Sequence, residues 1–276
     1  MKKKLHLLVA LFIIYTVACD IVEGPYIETG GNNNGNSVQK VLLEEFTGHQ
    51  CPNCPGGAAI AKQLHDFYGN KLVIIAYHAG FFARTTTSYP VDYRTAEGNE
   101  LNTFYSIEYN PVGMINRKSV SSSKLINPVD WGAVVADAIT KTPPVSIQIQ
   151  TSFIDNSRLL STSIKITALK NLSEGYGVCV YVAEDSLISK QSITSDVNYP
   201  DGYIPDYNHM HVFRTSLNGT WGVNVFENGT QSGQAETLLY SHVLNDGRNP
   251  DNCHLVVFAY SNDNGEVQQV ESKKVK

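Results

Sequence analysis

Residues 38–78 decide the fold, and they read VQKVLLEEFTGHQCPNCPGGAAIAKQLHDFYGNKLVIIAYH. Val38–Phe46 is mostly apolar with little alternation, which is typical of a strand covered on both faces. In the helical segment Ala58–Tyr68, one stripe of apolar positions is expected to face the core: Ile60, Leu64 and Phe67. Lys71–His78 is a second buried strand. Strand, helix and strand in this order predict a βαβ unit with parallel strands joined by a right-handed crossover.

The motif Cys51-Pro52-Asn53-Cys54 lies between that strand and that helix. In this position a CxxC pair is typical of a redox site, in which Cys51 near the helix N-terminus is the nucleophile and Cys54 resolves the mixed disulfide. Proline favours the first helical position, and a glycine inside a helix costs ~1 kcal/mol. The following Pro55-Gly56-Gly57 therefore predicts a helix that begins at Pro55, with Cys54 as its cap and weaker activation of Cys51. A structural disulfide and a metal site remain alternatives.

The segment from about residue 38 to 142 resembles the thioredoxin fold. Thioredoxin-like proteins carry a buried acid six residues before the first cysteine, and Glu45 occupies that place. They also carry a cis-proline that faces the cysteines, which Asn110-Pro111 matches. The resemblance implies that Glu45 relays a proton for Cys54 and that Asn110 and Pro111 shape a substrate groove. One departure is Gln50, where thioredoxins have a tryptophan.

Three polar patterns carry further expectations. Glu44 and Glu45 are adjacent and face opposite sides of a strand, so only one is expected to be buried. His49 is expected to face solvent in the turn, with stabilisation of a Cys51 thiolate as the alternative. His209 and His211 would lie on one face of a strand, as a surface pair or as the start of a metal site; no metal ligand is assigned.

Beyond the first unit, helices are predicted at Glu97–Tyr105 and Pro128–Thr140. After Pro144 the period changes from 3.6 to 2, which is typical of strands. The predicted strands are Val145–Thr151, Leu159–Leu169, Gly177–Glu184, Leu255–Tyr260 and Val267–Val275. The tract 189–233 is only loosely patterned and is expected to form loops. The fold class is therefore an α/β thioredoxin-like N-terminal domain, residues 38–142, followed by an all-β sandwich-like C-terminal domain, residues 143–276.

Five cysteines occur in the chain, and the position of Cys19 sets it apart. Residues 1–18 combine three lysines, a short apolar run and small residues, which is typical of a secretory signal peptide. The Thr16-Val17-Ala18-Cys19 ending resembles a bacterial lipobox, which implies lipid attachment at Cys19. The Gly/Asn-rich stretch 19–37 is expected to be a flexible tether. In the oxidising compartment this implies, Cys179 and Cys253 are either bridged or two buried free thiols.

The charge balance excludes nucleic acid as a partner. The chain carries 21 basic and 26 acidic residues, a net charge of −5, and no basic cluster occurs beyond the first four residues and the last few. No cofactor is predicted from the motifs. The expected membrane contact is the lipid anchor.

The whole chain is similar to the 28-kilodalton outer membrane lipoproteins of Gram-negative anaerobes. The likeness rests on EEFTGHQCPNCP, YHAG, VDYRT, YNPVGMINR and NHMHVFR. It implies a lipid-anchored protein of the cell envelope at the outer membrane. Two functions are consistent with this. The first is thiol–disulfide oxidoreductase or isomerase activity on the thiols or disulfides of exported proteins. The second is that of a surface-displayed binding or adhesion lipoprotein, which uses a non-catalytic thioredoxin-like scaffold to bind an unknown extracellular ligand.

Overall fold

The strand–helix–strand unit forms where the sequence predicts it. In the computed structural model, which describes residues 38–195 and 197–276, β1 (Val41–Thr47) and β2 (Leu72–His78) are parallel neighbours, in register from Val41 opposite Leu72 to Thr47 opposite His78. Helix α1 (Cys54–Tyr68) connects them. The predicted signal peptide 1–18, the lipid attachment at Cys19 and the tether 19–37 lie outside the described residues.

The remaining elements agree with the predicted helices and most predicted strands to within a few residues. The helices are α2 (Ala96–Phe104) and α3 (Pro128–Ala138). The strands are β3 (Val112–Ile115), β4 (Val145–Ile154), β5 (Leu159–Ala168), β6 (Tyr176–Glu184), β7 (Leu187–Ser192), β8 (Tyr203–His209), β9 (Val212–Ser216), β10 (Val223–Val225), β11 (Ala235–Val243), β12 (Cys253–Ser261) and β13 (Val267–Lys274).

The expectation of loops across 189–233 is wrong. β7 and β8 form a hairpin, β9 lies in the main sheet between β2 and β6, and β10 pairs with β6. These strands are short, and β9 is held by neighbours that are distant in sequence, with Ala76 of β2 opposite Val212 on one side and β6 on the other. Because pairing with distant strands supplies their hydrogen bonds, such strands form without a strong alternation of apolar and polar residues in the local sequence.

One eight-stranded sheet runs through most of the fold, in the order β13-β12-β6-β9-β2-β1-β3 with β10 beside β6. A three-stranded sheet, β11-β5-β4, packs against its β6 and β12 strands through a core of aliphatic side chains. The two sheets pack face to face here, as in a β-sandwich. Because the large sheet contains strands from both predicted domains, it is continuous across residue 142, and the described residues belong to one compact unit.

Helices α1 and α3 cover β1 and β3 through a separate apolar cluster that includes Trp131, Val135 and Ala61. The predicted stripe on α1 is correct for Ile60 and Leu64, which pack against this cluster. It is wrong for Phe67, which is 80% exposed. The buried positions of α1 are Cys54, Gly57 and Ala61, so the packed face is rotated away from Phe67.

Cys179 and Cys253 are free thiols, and both are buried. They lie on adjacent strands, but Cys179 faces the core beside α2 and Cys253 faces the core between the two sheets. Side chains on opposite faces of a sheet cannot meet, so the alternative of a bridge is excluded. Burial raises the pKa of each thiol to about 12, and they act as small apolar residues.

No helix in the described part of the chain combines the length and the apolar character needed to cross a membrane.

Candidate functional site

The central feature of the site is a disulfide between Cys51 and Cys54, with Cα atoms 5.4 Å apart. The prediction that α1 begins at Pro55 is wrong: the helix begins at Cys54 and Asn53 is its N-cap. Pro55 still falls within the first turn, where its missing N–H has no intrahelical partner to lose. Cys51 lies in the preceding turn, in which the Cys54 N–H donates to the Cys51 carbonyl over 3.3 Å.

Both cysteines are shielded from solvent, since Cys51 is 1% and Cys54 is 2% exposed. A segment of the C-terminal half, residues 191–194, lies over the motif. The Gln191 side-chain amide donates to the Cys51 carbonyl at 2.9 Å and to the Gly48 carbonyl at 3.3 Å. The Ser192 N–H donates to the His49 carbonyl at 2.8 Å, and the Thr194 N–H donates to the Pro52 carbonyl at 3.2 Å. We call residues 191–194 the covering segment.

Glu45 is a buried acid beside the first turns of α1. It is 3% exposed, and its Oε1 atom has no hydrogen-bond partner among the described residues. Burial raises the pKa of Glu45 to about 8, so the carboxyl group is mostly protonated at neutral pH. Tyr207 of β8 lies close enough for the Glu45 charge to add to burial in raising the pKa of Tyr207 to about 12.

The expectation that only one of Glu44 and Glu45 is buried is wrong. The sheet is covered on both faces, and Glu44 is fully buried on the other side. Its carboxylate binds the Arg117 guanidinium through two hydrogen bonds of 2.7 and 2.8 Å, and Tyr77 Oη donates a third over 2.9 Å. The two carboxyl groups therefore differ in state: Glu44 is paired with a cation, and Glu45 has no cationic partner.

The Asn110–Pro111 bond is cis, as the thioredoxin resemblance implies, and Pro111 lies near this acid. Gly57 of α1 lets the two elements approach. A Cβ atom on Gly57 would lie 2.9 Å from Pro111 Cβ and 3.1 Å from Glu45 Oε1. The helix, the proline and the acid thus converge at one glycine, within one turn of Cys54.

His49 does not face solvent, contrary to the prediction. It is buried, its Nε2 atom lies 3.0 Å from the Arg84 carbonyl oxygen, and its ring stacks on Tyr89 with centroids 5.3 Å apart. Burial lowers the pKa of His49, which favours the neutral ring. A neutral imidazole does not stabilise a thiolate by charge, so the alternative role beside Cys51 has no electrostatic support.

The pair His209 and His211 is separated by the backbone. His209 ends β8 and packs on His78, with ring centroids 5.2 Å apart, whereas His211 has a φ of +57° and reaches Asp185. The prediction that both rings share one strand face is therefore wrong. Among residues 38–195 and 197–276, no three His, Cys, Asp or Glu side chains are placed to hold a metal ion.

Gln191 is the site residue that sequence reasoning missed. It lies 140 residues beyond Cys51, in a segment without a motif. The short alternating run of β7 marks a strand at best, and no local signal indicates that its glutamine reaches the CxxC turn.

The fold and the disulfide at the start of α1 define a mixed α/β protein, rich in strands, with a buried CxxC pair. The sequence pattern of the outer membrane protein Omp28 family matches residues 99–276. The chain belongs to this family, which places it in the cell envelope at the outer membrane. Among curated proteins no match was found.

Two solved structures share the fold of this chain at low sequence identity. HBP35 of Porphyromonas gingivalis aligns with a TM-score of 0.65 and 16% identity, over 87% of this chain and 76% of that one. An Agrobacterium tumefaciens protein aligns with a TM-score of 0.52 and 14% identity, over 87% of this chain and 96% of that one. A domain of the outer membrane lipoprotein Omp28 from Porphyromonas gingivalis is 19% identical over 49% of this chain and 91% of that one; its TM-score of 0.34 is too low to indicate a shared arrangement.

Proposed function

We propose that the Cys51–Cys54 pair performs thiol–disulfide exchange with exported proteins. In the oxidised state a substrate thiolate attacks Cys51 Sγ, the bond to Cys54 breaks, and Cys54 leaves with the electron pair. A second substrate thiolate then attacks the substrate sulfur of the mixed disulfide and releases the Cys51 thiolate. The substrate is oxidised by two electrons and the protein pair is reduced; the reverse sequence reduces a substrate disulfide.

Glu45 is the proton carrier in this proposal, and the observation that carries it is geometric: its buried Oε1 atom, which has no hydrogen-bond partner among the described residues, lies beside Gly57 in the first turns of the helix that begins at Cys54. A protonated carboxyl group in this place can give a proton to the leaving Cys54 thiolate and take it back in the reverse direction. Pro111 borders the same place, and Asn110 and Pro111 would shape the substrate groove. We assign these residues to a thioredoxin-like module, 38–142, and the strands after it to a β-rich module, 143–276.

In this proposal a protein substrate must reach Cys51, and the covering segment blocks its approach. Cys51 cannot meet a protein substrate while the segment remains hydrogen-bonded to Gly48, His49 and Cys51. Opening of residues 191–194 would expose the turn without unfolding the large sheet, because β7 pairs only with β8 in its own two-stranded sheet.

The midpoint potential of the pair tests this proposal. It is measured by alkylation and mass shift across a glutathione series, with Cys51→Ala as the control that assigns the shift. A value in the range of about −120 to −270 mV, where working oxidoreductases lie, is the expected result. A pair that stays oxidised below about −300 mV is a structural disulfide and refutes the exchange function.

A second candidate function is a binding or adhesion lipoprotein, and the burial of both sulfurs favours it. In this case the disulfide only fastens the turn that the covering segment rests on. Cys51→Ala separates the two candidates, since it abolishes exchange and leaves binding of an extracellular ligand nearly unchanged.

The membrane attachment in either case would be the lipid on Cys19, after removal of residues 1–18. Growth of the native host with an alkyne-tagged fatty acid tests this: the purified chain is expected to carry the tag, and Cys19→Ser is expected to lose it. Retention of the tag by Cys19→Ser would refute the assignment.

A further inference from the structure

A cavity of about 870 Å³ lies beside α1, and Glu45 and Cys54 of the exchange site line one part of it. Its walls are formed by α1, β2, the ends of β1 and β8, and the adjacent parts of β6, β7, β12 and β13. The volume falls within the range of about 300–1,000 Å³ that small-molecule sites occupy. The surface of its walls is mainly apolar, although polar side chains are also present, and Ala58 and Ala61 of α1, Ala76 of β2 and Ala183 of β6 keep the space open.

The cavity follows from the strand order. β9 pairs with β2 at one position only, Ala76 opposite Val212. The first half of β2 consequently has no partner from β9. Short side chains on α1 do not fill the gap that results.

Two buried polar groups line the cavity and lack partners. Glu45 Oε1 and His78 Nδ1 have no hydrogen-bond partner among the described residues, and both side chains are less than one-tenth exposed. Burial raises the pKa of Glu45 to about 8 and lowers the pKa of His78, so both groups are uncharged at neutral pH. An unpaired buried polar group costs about 1–3 kcal/mol, which a ligand that supplies the missing hydrogen bond would recover.

The charged groups that line the cavity lie against partners. Asp185 lies 3.3 Å from His211 Nδ1 and 3.0 Å from His254 Nε2. Lys62 pairs with Asp66 at 2.6 Å, and Lys40 pairs with Glu271. Both lining lysines are therefore paired with a carboxylate, so among the described residues neither lysine is left over to attract an anionic ligand.

We propose that this cavity binds a small uncharged molecule, with an apolar body and a hydrogen-bonding group of the amide, amine or hydroxyl type directed at Glu45 and His78. Binding does not depend on thiol–disulfide exchange, because the disulfide is intact in the state that contains the cavity. A redox-inactive pair would therefore leave this inference standing.

The test uses two fluorescent probes that differ in charge. N-phenyl-1-naphthylamine is uncharged, has one N–H donor and brightens in apolar surroundings; 1-anilinonaphthalene-8-sulfonate adds a fixed negative charge to the same rings. The oxidised unit Gly35–Lys276, whose three apolar cores are all formed by its own residues, is titrated with each at pH 7. We expect saturable binding of the uncharged probe at one site, at least tenfold tighter than binding of the sulfonate.

Matched substitutions on α1 locate the binding. Ala58→Leu fills the cavity and is expected to weaken the uncharged probe at least tenfold, whereas Gln63→Leu adds the same side chain outside the cavity and leaves affinity unchanged. If Ala58→Leu does not fold by circular dichroism, Met210→Arg replaces it, since Met210 lines the cavity and is 40% exposed. Non-saturable binding, equal affinity in the filled variant, or equally tight sulfonate binding overturns the proposal.

Discussion

Replacement of Glu45 by glutamine is expected to stabilise the protein, by an amount that grows with pH. Burial raises the pKa of Glu45 from its ordinary value of 4.5 to about 8. Between these values the unfolded chain releases the proton and the folded chain keeps it, so the free energy of unfolding falls as pH rises. Glutamine has the same size and stays uncharged, so the variant does not lose this stability.

The magnitude follows from the size of the pKa shift. One pKa unit corresponds to about 1.36 kcal/mol, so the full cost of this carboxyl group is about 5 kcal/mol above pH 8. At pH 7 the cost is about 3 kcal/mol, and at pH 5 it is about 1 kcal/mol. The stability difference between Glu45→Gln and the parent chain is therefore expected to rise steadily from pH 5 to pH 8.5.

Urea unfolding of the oxidised unit Gly35–Lys276 at pH 5, 7 and 8.5 measures this difference through the midpoint at constant slope. Glu44→Gln is the matched control on the next residue. It leaves the Arg117 cation buried and unpaired, which is expected to cost about 3–5 kcal/mol. A difference between Glu45→Gln and the parent that stays constant across pH would refute the protonated state of Glu45.

Three further changes test the packing around the site. Gln191→Ala removes the amide that bridges Cys51 and Gly48, so dithiothreitol is expected to reduce the disulfide several-fold faster in an alkylation time course; an unchanged rate would mean that the covering segment is not the barrier. Gly57→Ala places a methyl group 2.9 Å from Pro111 Cβ, and we expect it to lower the stability measured by thermal unfolding by about 1–3 kcal/mol. The control Gly56→Ala meets nothing within 4 Å and is expected to stabilise the protein by about 0.5–1 kcal/mol. Equal effects of the two substitutions would contradict the close approach of Gly57 to Pro111. Trp131→Ala empties the core under α3 and is expected to cost about 3–5 kcal/mol in urea unfolding, and a loss below about 1 kcal/mol would contradict that packing.

The parts of the fold that the sequence predicts are those whose determinants are local. β1, α1 and β2 follow from apolar runs and helical spacing within residues 38–78, and β4 and β5 follow from alternation. The position of the CxxC pair at the start of a helix is predicted for the same reason. The predictions were wrong where a distant partner decides the outcome: Glu44 is buried because Arg117 reaches it from 73 positions away, and β9 exists because β2 and β6 are both beside it.

The same distinction bears on the chemistry of the site, since a local motif defines the disulfide and a distant segment controls access to it. Four groups fasten the covering segment to the turn: the Gln191 amide, the Ser192 and Thr194 N–H groups, and the Thr194 hydroxyl, which donates to Asn53. A hydrogen bond contributes about 0.5–1.5 kcal/mol net, so opening of this segment alone costs about 2–6 kcal/mol. Such a cost leaves the turn exposed in roughly one molecule in thirty to one in twenty thousand, because 1.4 kcal/mol is a factor of ten. The proposed exchange through the open state would thereby be slowed without being abolished, so burial of the two sulfurs is compatible with the redox proposal.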